Sequence, residues 1–268
     1  MPTQPSQADL TALMAIAERI AHGADQILLQ SFGKVSASLK SDGTLVTQAD
    51  HAVDEFITQQ LTACCPDHAI LSEERNTIYQ PTATFTWVID PLDGTTNFAR
   101  GLPIWGVSIA LLYFGVPIVG LLSFSSLREQ YRAVAGYGAT LNDTPLHTSE
   151  NEATDDQHFM MQCTRTARAY RVDTPLKPRI LGSAAYHLAT VAKGSALAGI
   201  EATPKLWDIA AALLIISEAG GTYQRLDTDS PIFPLESQTK NYALLAFPLL
   251  AAANVHILEE LESGIARR

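Results

Sequence analysis

Residues 105–124 form an almost unbroken apolar run, long enough to be weighed as a membrane span. Gly115-Val116-Pro117 interrupts it, and the residues on either side favour β structure. The run therefore reads as two buried strands, over 108–113 and 118–124, joined by a tight turn, with 130–135 continuing the same antiparallel sheet. Such strands need a sizeable core. The 47% hydrophobic fraction over 268 residues supplies one, in one large domain or two small ones.

The rest of the chain alternates. Leu10, Leu13, Ile16, Ile20, Ile27 and Leu28 fall at helical spacing and predict a helix over 8–32, stopped by Gly33. A strand over 34–39 and a turn at Ser41-Asp42-Gly43 follow. Thr47, with Asp50 three residues on, resembles a capping box for a second helix that buries Ala49, Val53, Phe56, Ile57 and Leu61. Short strands are expected at 69–71 and 85–89. Residues 150–178 are the least regular part and carry a basic patch at Arg165, Arg168 and Arg171. A soft boundary near their start divides the chain into an N-terminal α+β subdomain, 1–145, and a C-terminal α/β subdomain, 146–268. Beyond it, strands at 179–181 and 197–201 alternate with helices at 184–193 and 206–218, the latter closed by Gly220-Gly221.

A net charge of −10 with no basic run argues against a general nucleic-acid or membrane-surface binder and suits a protein that concentrates cations. The three cysteines, Cys64, Cys65 and Cys163, make no disulfide framework, and Met1 to Asp9 lack a signal-peptide pattern, so a cytoplasmic setting is expected. The histidines show no metal-ligand spacing, and neither a nucleophile elbow nor a nucleotide-binding Gly-Lys loop occurs.

Chemistry concentrates in residues 87–98, Trp-Val-Ile-Asp-Pro-Leu-Asp-Gly-Thr-Thr-Asn-Phe. Asp90 and Asp93, three residues apart at the end of an apolar strand, form a hard-oxygen cluster suited to divalent cations. Gly94-Thr95-Thr96 then opens a helix, whose N-terminal amides suit an anion. Together they suggest chemistry on a phosphate. Each candidate also has a plain structural role: Asp90 and Asp93 in a surface turn, Glu73-Glu74 and Asp208 as acids in a first helical turn, Asp50 as the partner of Thr47.

These segments, taken in order, resemble the inositol monophosphatase family of metal-dependent, lithium-sensitive phosphatases. The resemblance rests on Asp90-Pro91-Leu92-Asp93-Gly94-Thr95-Thr96-Asn97, on Trp207-Asp208-Ile209-Ala210-Ala211 with Glu218-Ala219-Gly220-Gly221, and on three shorter matches at 45–50, 72–74 and 182–185. It implies a layered αβαβα sandwich, the sugar-phosphatase-like fold with two subdomains, and a homodimer. It implies Mg²⁺, two or three per active site, held by Glu73, Asp90, Asp93, Asp208 and the backbone carbonyl of Leu92. Glu73 and Thr95, with Asp50 behind Thr95, would orient and deprotonate the attacking water. The amides of Gly94 and Thr95 would hold phosphate. Asp93, Gly182, Ser183, Ala184, Glu201 and Asp208 would face the substrate, with Glu201 on a hydroxyl.

Two positions depart from the family pattern. Ile200 and Thr203 flank Glu201 where an aromatic and a glycine are common, and Asn142-Asp143-Thr144-Pro145 stands for a commoner Asn-Gly-x-Pro. The implied activity is Mg²⁺-dependent hydrolysis of a small polyol phosphate, myo-inositol 1-phosphate first, by metal-activated water. Histidinol phosphate, fructose 1,6-bisphosphate and 3′-phosphoadenosine 5′-phosphate are alternatives. A different class is a non-catalytic regulatory protein that keeps the fold and acts through partners.

Overall fold

A computed structural model describes residues 5–34, 37–39, 45–151 and 153–268. The helices are α1 (Gln7–Ser31), α2 (Gln48–Cys64), α3 (Thr95–Ala99), α4 (Thr164–Ala169), α5 (Ala184–Ala192), α6 (Leu206–Glu218) and α7 (Val255–Ser263). Strands β1 (Ala69–Ser72), β2 (Phe85–Asp93), β3 (Gly106–Tyr113), β4 (Val116–Phe124), β5 (Glu129–Val134), β6 (Ala139–Leu141) and β7 (Thr144–Pro145) form a seven-stranded sheet whose spatial order is chain order. Only β1 and β2 are parallel in it; the other neighbours are antiparallel. A second sheet of five strands combines β8 (Phe159–Gln162), β9 (Lys177–Arg179), β10 (Ala198–Glu201), β11 (Thr222–Arg225) and β12 (Leu249–Ala252) in the order β9-β8-β10-β12-β11.

The apolar run over 105–124 forms β3 and β4, joined at Phe114-Gly115, both in the left-handed region. Alternation along these strands sends side chains to two cores. Trp87, Ile89, Val107, Ile109 and Leu111 join α1 and α2 on one face. Val88, Ala110, Leu112 and Leu122 join α5 and α6 on the other. Leu249 and Ala251 of the second sheet pack on that same α5–α6 layer, while Leu250 and Ala252 turn outward to Ile257, Leu258 and Leu261 of α7. The layers are thus α1/α2, first sheet, α5/α6, second sheet, α7: the expected αβαβα sandwich. Both sheets are covered on both faces, which is why β3 and β4 are apolar along most of their length, Ser108 and Ser123 excepted.

Local signals act as the sequence predicts at Thr47, whose hydroxyl and the Asp50 carboxylate close a capping box on α2. Phe56, expected on the buried face of α2, is only partly buried, and three further readings are refined. The buried stripe of α1 is Leu10, Met14, Ala17, Ile20, Ala21, Ala24, Asp25 and Leu28, so Leu13, Ile16 and Ile27 lie at its margin; alanines face the sheet and let the helix approach closely. Residues 150–178 hold β8, α4, a short strand Tyr170–Val172 and the start of β9, elements too brief to leave a periodicity. The strand expected at 179–181 ends at Arg179. Beyond it, the Leu181 N–H goes to His187 and its carbonyl to Asn97, so side chains replace the ladder. The turn expected at 41–43 lies outside the described residues. Among the described residues, no helix is long and apolar enough to cross a membrane.

Candidate active site

In a regular strand, residues three apart face opposite sides of the sheet. Asp90 pairs with Ser108 and Asp93 with Gly106, so three steps on β2 match two on β3. The extra residue is a bulge at Pro91-Leu92, and it turns both carboxylates to one side. The Leu92 N–H, donating to Asp90 Oδ1 at 2.9 Å, fixes the turned segment. Gly94 follows at φ +87°, where a Cβ would lie 2.7 Å from the Ile104 carbonyl oxygen, so only glycine fits. α3 then starts at Thr95 with no side chain capping its first turn.

Asp208 arrives from the other half of the chain. α6 crosses β4 so closely that a Cβ on Gly120 would be 2.9 Å from the Ala211 carbonyl oxygen. The Ser108 hydroxyl, beside Asp90 in the ladder, donates to the Trp207 carbonyl at 2.9 Å and pins the start of α6 there. Carboxylate oxygens of Asp90, Asp93 and Asp208 consequently lie within 4.8 Å of one another. Burial, then repulsion from Glu73, Asp208 and Asp93, pushes Asp90 well above the usual carboxylate range. Burial, then Asp93 and Glu73, does the same to Asp208. Three clustered carboxylates carry a large cost unless a cation shares them, and all-oxygen donors suit a hard divalent ion. Arg165 is the one basic residue among the described residues bordering the cleft, so the residues present fit such an ion.

The structure brings most of the predicted residues together. Glu73, Asp90, Leu92, Asp93, Gly94, Thr95, Gly182 and Asp208 line one cleft of about 370 Å³. Asp50 combines two roles: Oδ2 accepts the Thr47 amide at 2.8 Å, while Oδ1 accepts the Thr95 hydroxyl at 3.1 Å. The same Thr95 hydroxyl lies 3.0 Å from the Leu92 carbonyl oxygen. Burial raises Asp50 despite these bonds. Ser183 and Ala184 border a second cavity of about 530 Å³ together with Glu201 and Gly182, and Thr96, Arg165, Gly182 and Asp208 border both spaces. Ser183 and Ala184 also turn inward: the Ser183 hydroxyl and the amides of Ala184 (3.2 Å) and Ala185 (3.1 Å) all donate to Asp93.

Three residues escape sequence reasoning. Asn97 donates from Nδ2 to the Ile104 carbonyl at 2.8 Å and to the Leu181 carbonyl at 2.7 Å, clamping the motif helix to the Gly182 segment. Its place in the Asp-Gly-Thr-Thr-Asn run is the signal that points to it. Arg165, outwardly part of a basic patch, reaches the junction of the two cavities and donates to the Thr203 hydroxyl at 3.0 Å. His187 is buried against Glu201, and nothing in its local sequence announces that pairing.

A family model described as the inositol monophosphatase family matches residues 9–264. The chain belongs to the inositol monophosphatase family. Among relatives in that family, an inositol-1-monophosphatase of Synechocystis sp. is 33% identical, with 97% of this chain and 91% of that protein covered. A histidinol-phosphatase of Chlorobaculum parvum is also 33% identical, over 79% of this chain and 85% of that one. The crystal structure of the extragenic suppressor protein suhB from Bartonella henselae superposes with a TM-score of 0.81 at 28% identity, covering 94% of this chain and 98% of that one. Relatives with different named activities thus share the inositol monophosphatase family frame, and phosphatase chemistry is what those activities have in common.

Proposed function

We propose that the protein is a Mg²⁺-dependent phosphomonoesterase acting on a small polyol phosphate, with myo-inositol 1-phosphate as the first candidate and histidinol phosphate as the second. The observation that carries this reading is the Asp90–Asp93–Asp208 cluster, beside the uncapped start of α3 and open to a cavity bordered by Glu201. Glu73, Asp90, Asp93, Asp208 and the Leu92 carbonyl would hold Mg²⁺, which would supply Lewis acidity to make water nucleophilic near neutral pH and to offset charge on the phosphoryl group.

The chain's own groups do the rest. The amides of Gly94 and Thr95 hold the phosphate, since backbone N–H groups at an uncapped helix start favour an anion. The Thr95 hydroxyl, with Glu73 beside it in the cleft, orients the attacking water. Asp50, raised by burial, accepts a proton through Thr95 more readily than an ordinary aspartate does. Glu201 receives a hydroxyl of the polyol in the second cavity. A homodimer and lithium inhibition belong to the same proposal.

A panel of small phosphate esters assayed with Mg²⁺, with EDTA and with added lithium tests this reading. Polyol phosphates are expected to be cleaved only with Mg²⁺, and Asp90→Asn or Asp208→Asn to lower kcat by on the order of 100-fold or more. Undiminished turnover in both variants would falsify the assignment. Light scattering on the eluting protein checks the dimer.

A further inference from the structure

The second cavity contains a buried pair that phosphate chemistry does not use. His187, on α5, is fully buried, and Glu201, at the end of β10, is 2% exposed. Both ring nitrogens of His187 are engaged. The Leu181 N–H donates to Nε2 at 2.9 Å, and Nδ1 lies 2.6 Å from Glu201 Oε1. A ring that accepts at Nε2 must hold its proton on Nδ1, so Nδ1–H donates to Glu201. Burial, holding the imidazole down at about 4, agrees with this neutral form.

The ring joins two parts of the site. On its Nε2 side lies Leu181, whose carbonyl Asn97 holds and which leads directly into Gly182 to Ala184. On its Nδ1 side lies the carboxyl that borders the cavity. Cys163, just after β8, borders the same cavity. The surrounding wall includes the apolar Ile180, Leu181 and Pro204. A carboxyl placed there without a partner would be costly, and it would also be free to rotate. His187 gives it one partner and holds Oε1 in place, while burial still keeps the carboxyl raised, to about 8.

We infer that His187 is a positioning residue for substrate selection: by fixing Glu201, it makes the second cavity favour esters whose alcohol part donates hydrogen bonds. The inference rests on the phosphatase reading and deepens it, since it names which feature of the substrate the cavity weighs. The polar demand is specific, because a buried acceptor left unmatched by an apolar ester costs more than a good contact returns.

Kinetics of His187→Gln and His187→Asn on myo-inositol 1-phosphate and on p-nitrophenyl phosphate, both with Mg²⁺, test it. Gln places its side-chain amide near Nε2 and loses the bond to Glu201; Asn places an N–H donor near Nδ1 and keeps it. For His187→Gln, kcat/KM on the polyol ester relative to the nitrophenyl ester is expected to fall about tenfold, with the loss in KM rather than kcat. His187→Asn recovers most of that loss. Glu201→Gln shows the same split, and the double variant with His187→Gln falls no further. Equal losses on both esters in His187→Gln, or no loss on either, overturn the inference while leaving the phosphatase reading intact. So does a double variant whose losses simply add. A wild-type protein that is folded yet cleaves neither ester overturns the phosphatase reading and this inference with it.

Discussion

Asp25 shows how a single buried carboxyl sets a pH response. It sits on α1 against β4, where Oδ2 accepts the Ser123 hydroxyl at 2.6 Å and Oδ1 has no hydrogen-bond partner. Burial raises it to about 6, from an ordinary 3.8, with Ser123, Ser125 and His22 pulling the other way. A raised acid favours the folded state only while protonated. Its contribution is complete below about pH 4 and is lost as pH rises through about 6, a swing on the order of 3 kcal/mol. Urea unfolding of Asp25→Asn is therefore expected to show about the wild-type stability near pH 4 and higher stability at pH 8. A difference that does not change with pH would refute this account. Asp50 is a second case of burial combined with use. One oxygen completes the α2 capping box and the other meets Thr95, so Asp50→Asn is expected to lower kcat and to lower stability by about 1 kcal/mol. Thr47→Ala, measured beside it, removes only the cap, so the stability loss should be shared and the loss of kcat should belong chiefly to Asp50.

At the scale of elements, the bulge in β2 is the decisive feature. Without it Asp90 and Asp93 would face opposite cores, and the cluster with Asp208 could not form. Gly94 ends that bulge at a left-handed φ and beside the Ile104 carbonyl. Gly94→Ala meets both a strained backbone and a backbone clash, and is expected to cost about 1–3 kcal/mol and to lower activity more than stability alone explains. Thermal unfolding and turnover measured together check this. The β3–β4 hairpin presents the opposite situation. Phe114 sits at φ +45° in its turn and is exposed, a conformation that asparagine adopts more readily. Phe114→Asn should raise stability by about 1 kcal/mol without touching the cleft; an unchanged or lower melting temperature would count against it. The Asn142-Asp143 turn solves the same geometry with residues suited to it, both at positive φ.

The whole molecule closes around α6, which lies between the two sheets and delivers Asp208 to the carboxylates of the first. A cation there would bind residues from both halves of the chain and the folded state alone. Calorimetry is expected to show the melting temperature rising with Mg²⁺ concentration, by an amount equivalent to about 3 kcal/mol at 100 times the dissociation constant. Asp208→Asn should remove most of that rise; a rise retained in full would place the cation elsewhere. Much of this organisation is legible along the chain, because helix caps, apolar spacing and the tight turn after Tyr113 depend on neighbours in sequence. The limits of α2 and α6, the antiparallel meander and the family motifs were readable for that reason, and so were Asp90, Asp93 and Asp208 as candidates. Other features were not, because their partners are distant. The bulge needs a partner strand to have a register. The Leu181 backbone leaves its strand only because Asn97 and His187, from two different helices, take its hydrogen bonds. Arg165 borders the cleft only because α4 is carried there by the second sheet. Local sequence thus determined which groups could do the chemistry. Tertiary packing decided which of them face each other, because distance and burial, which set charge coupling and hydrogen bonding, exist only once the layers have closed.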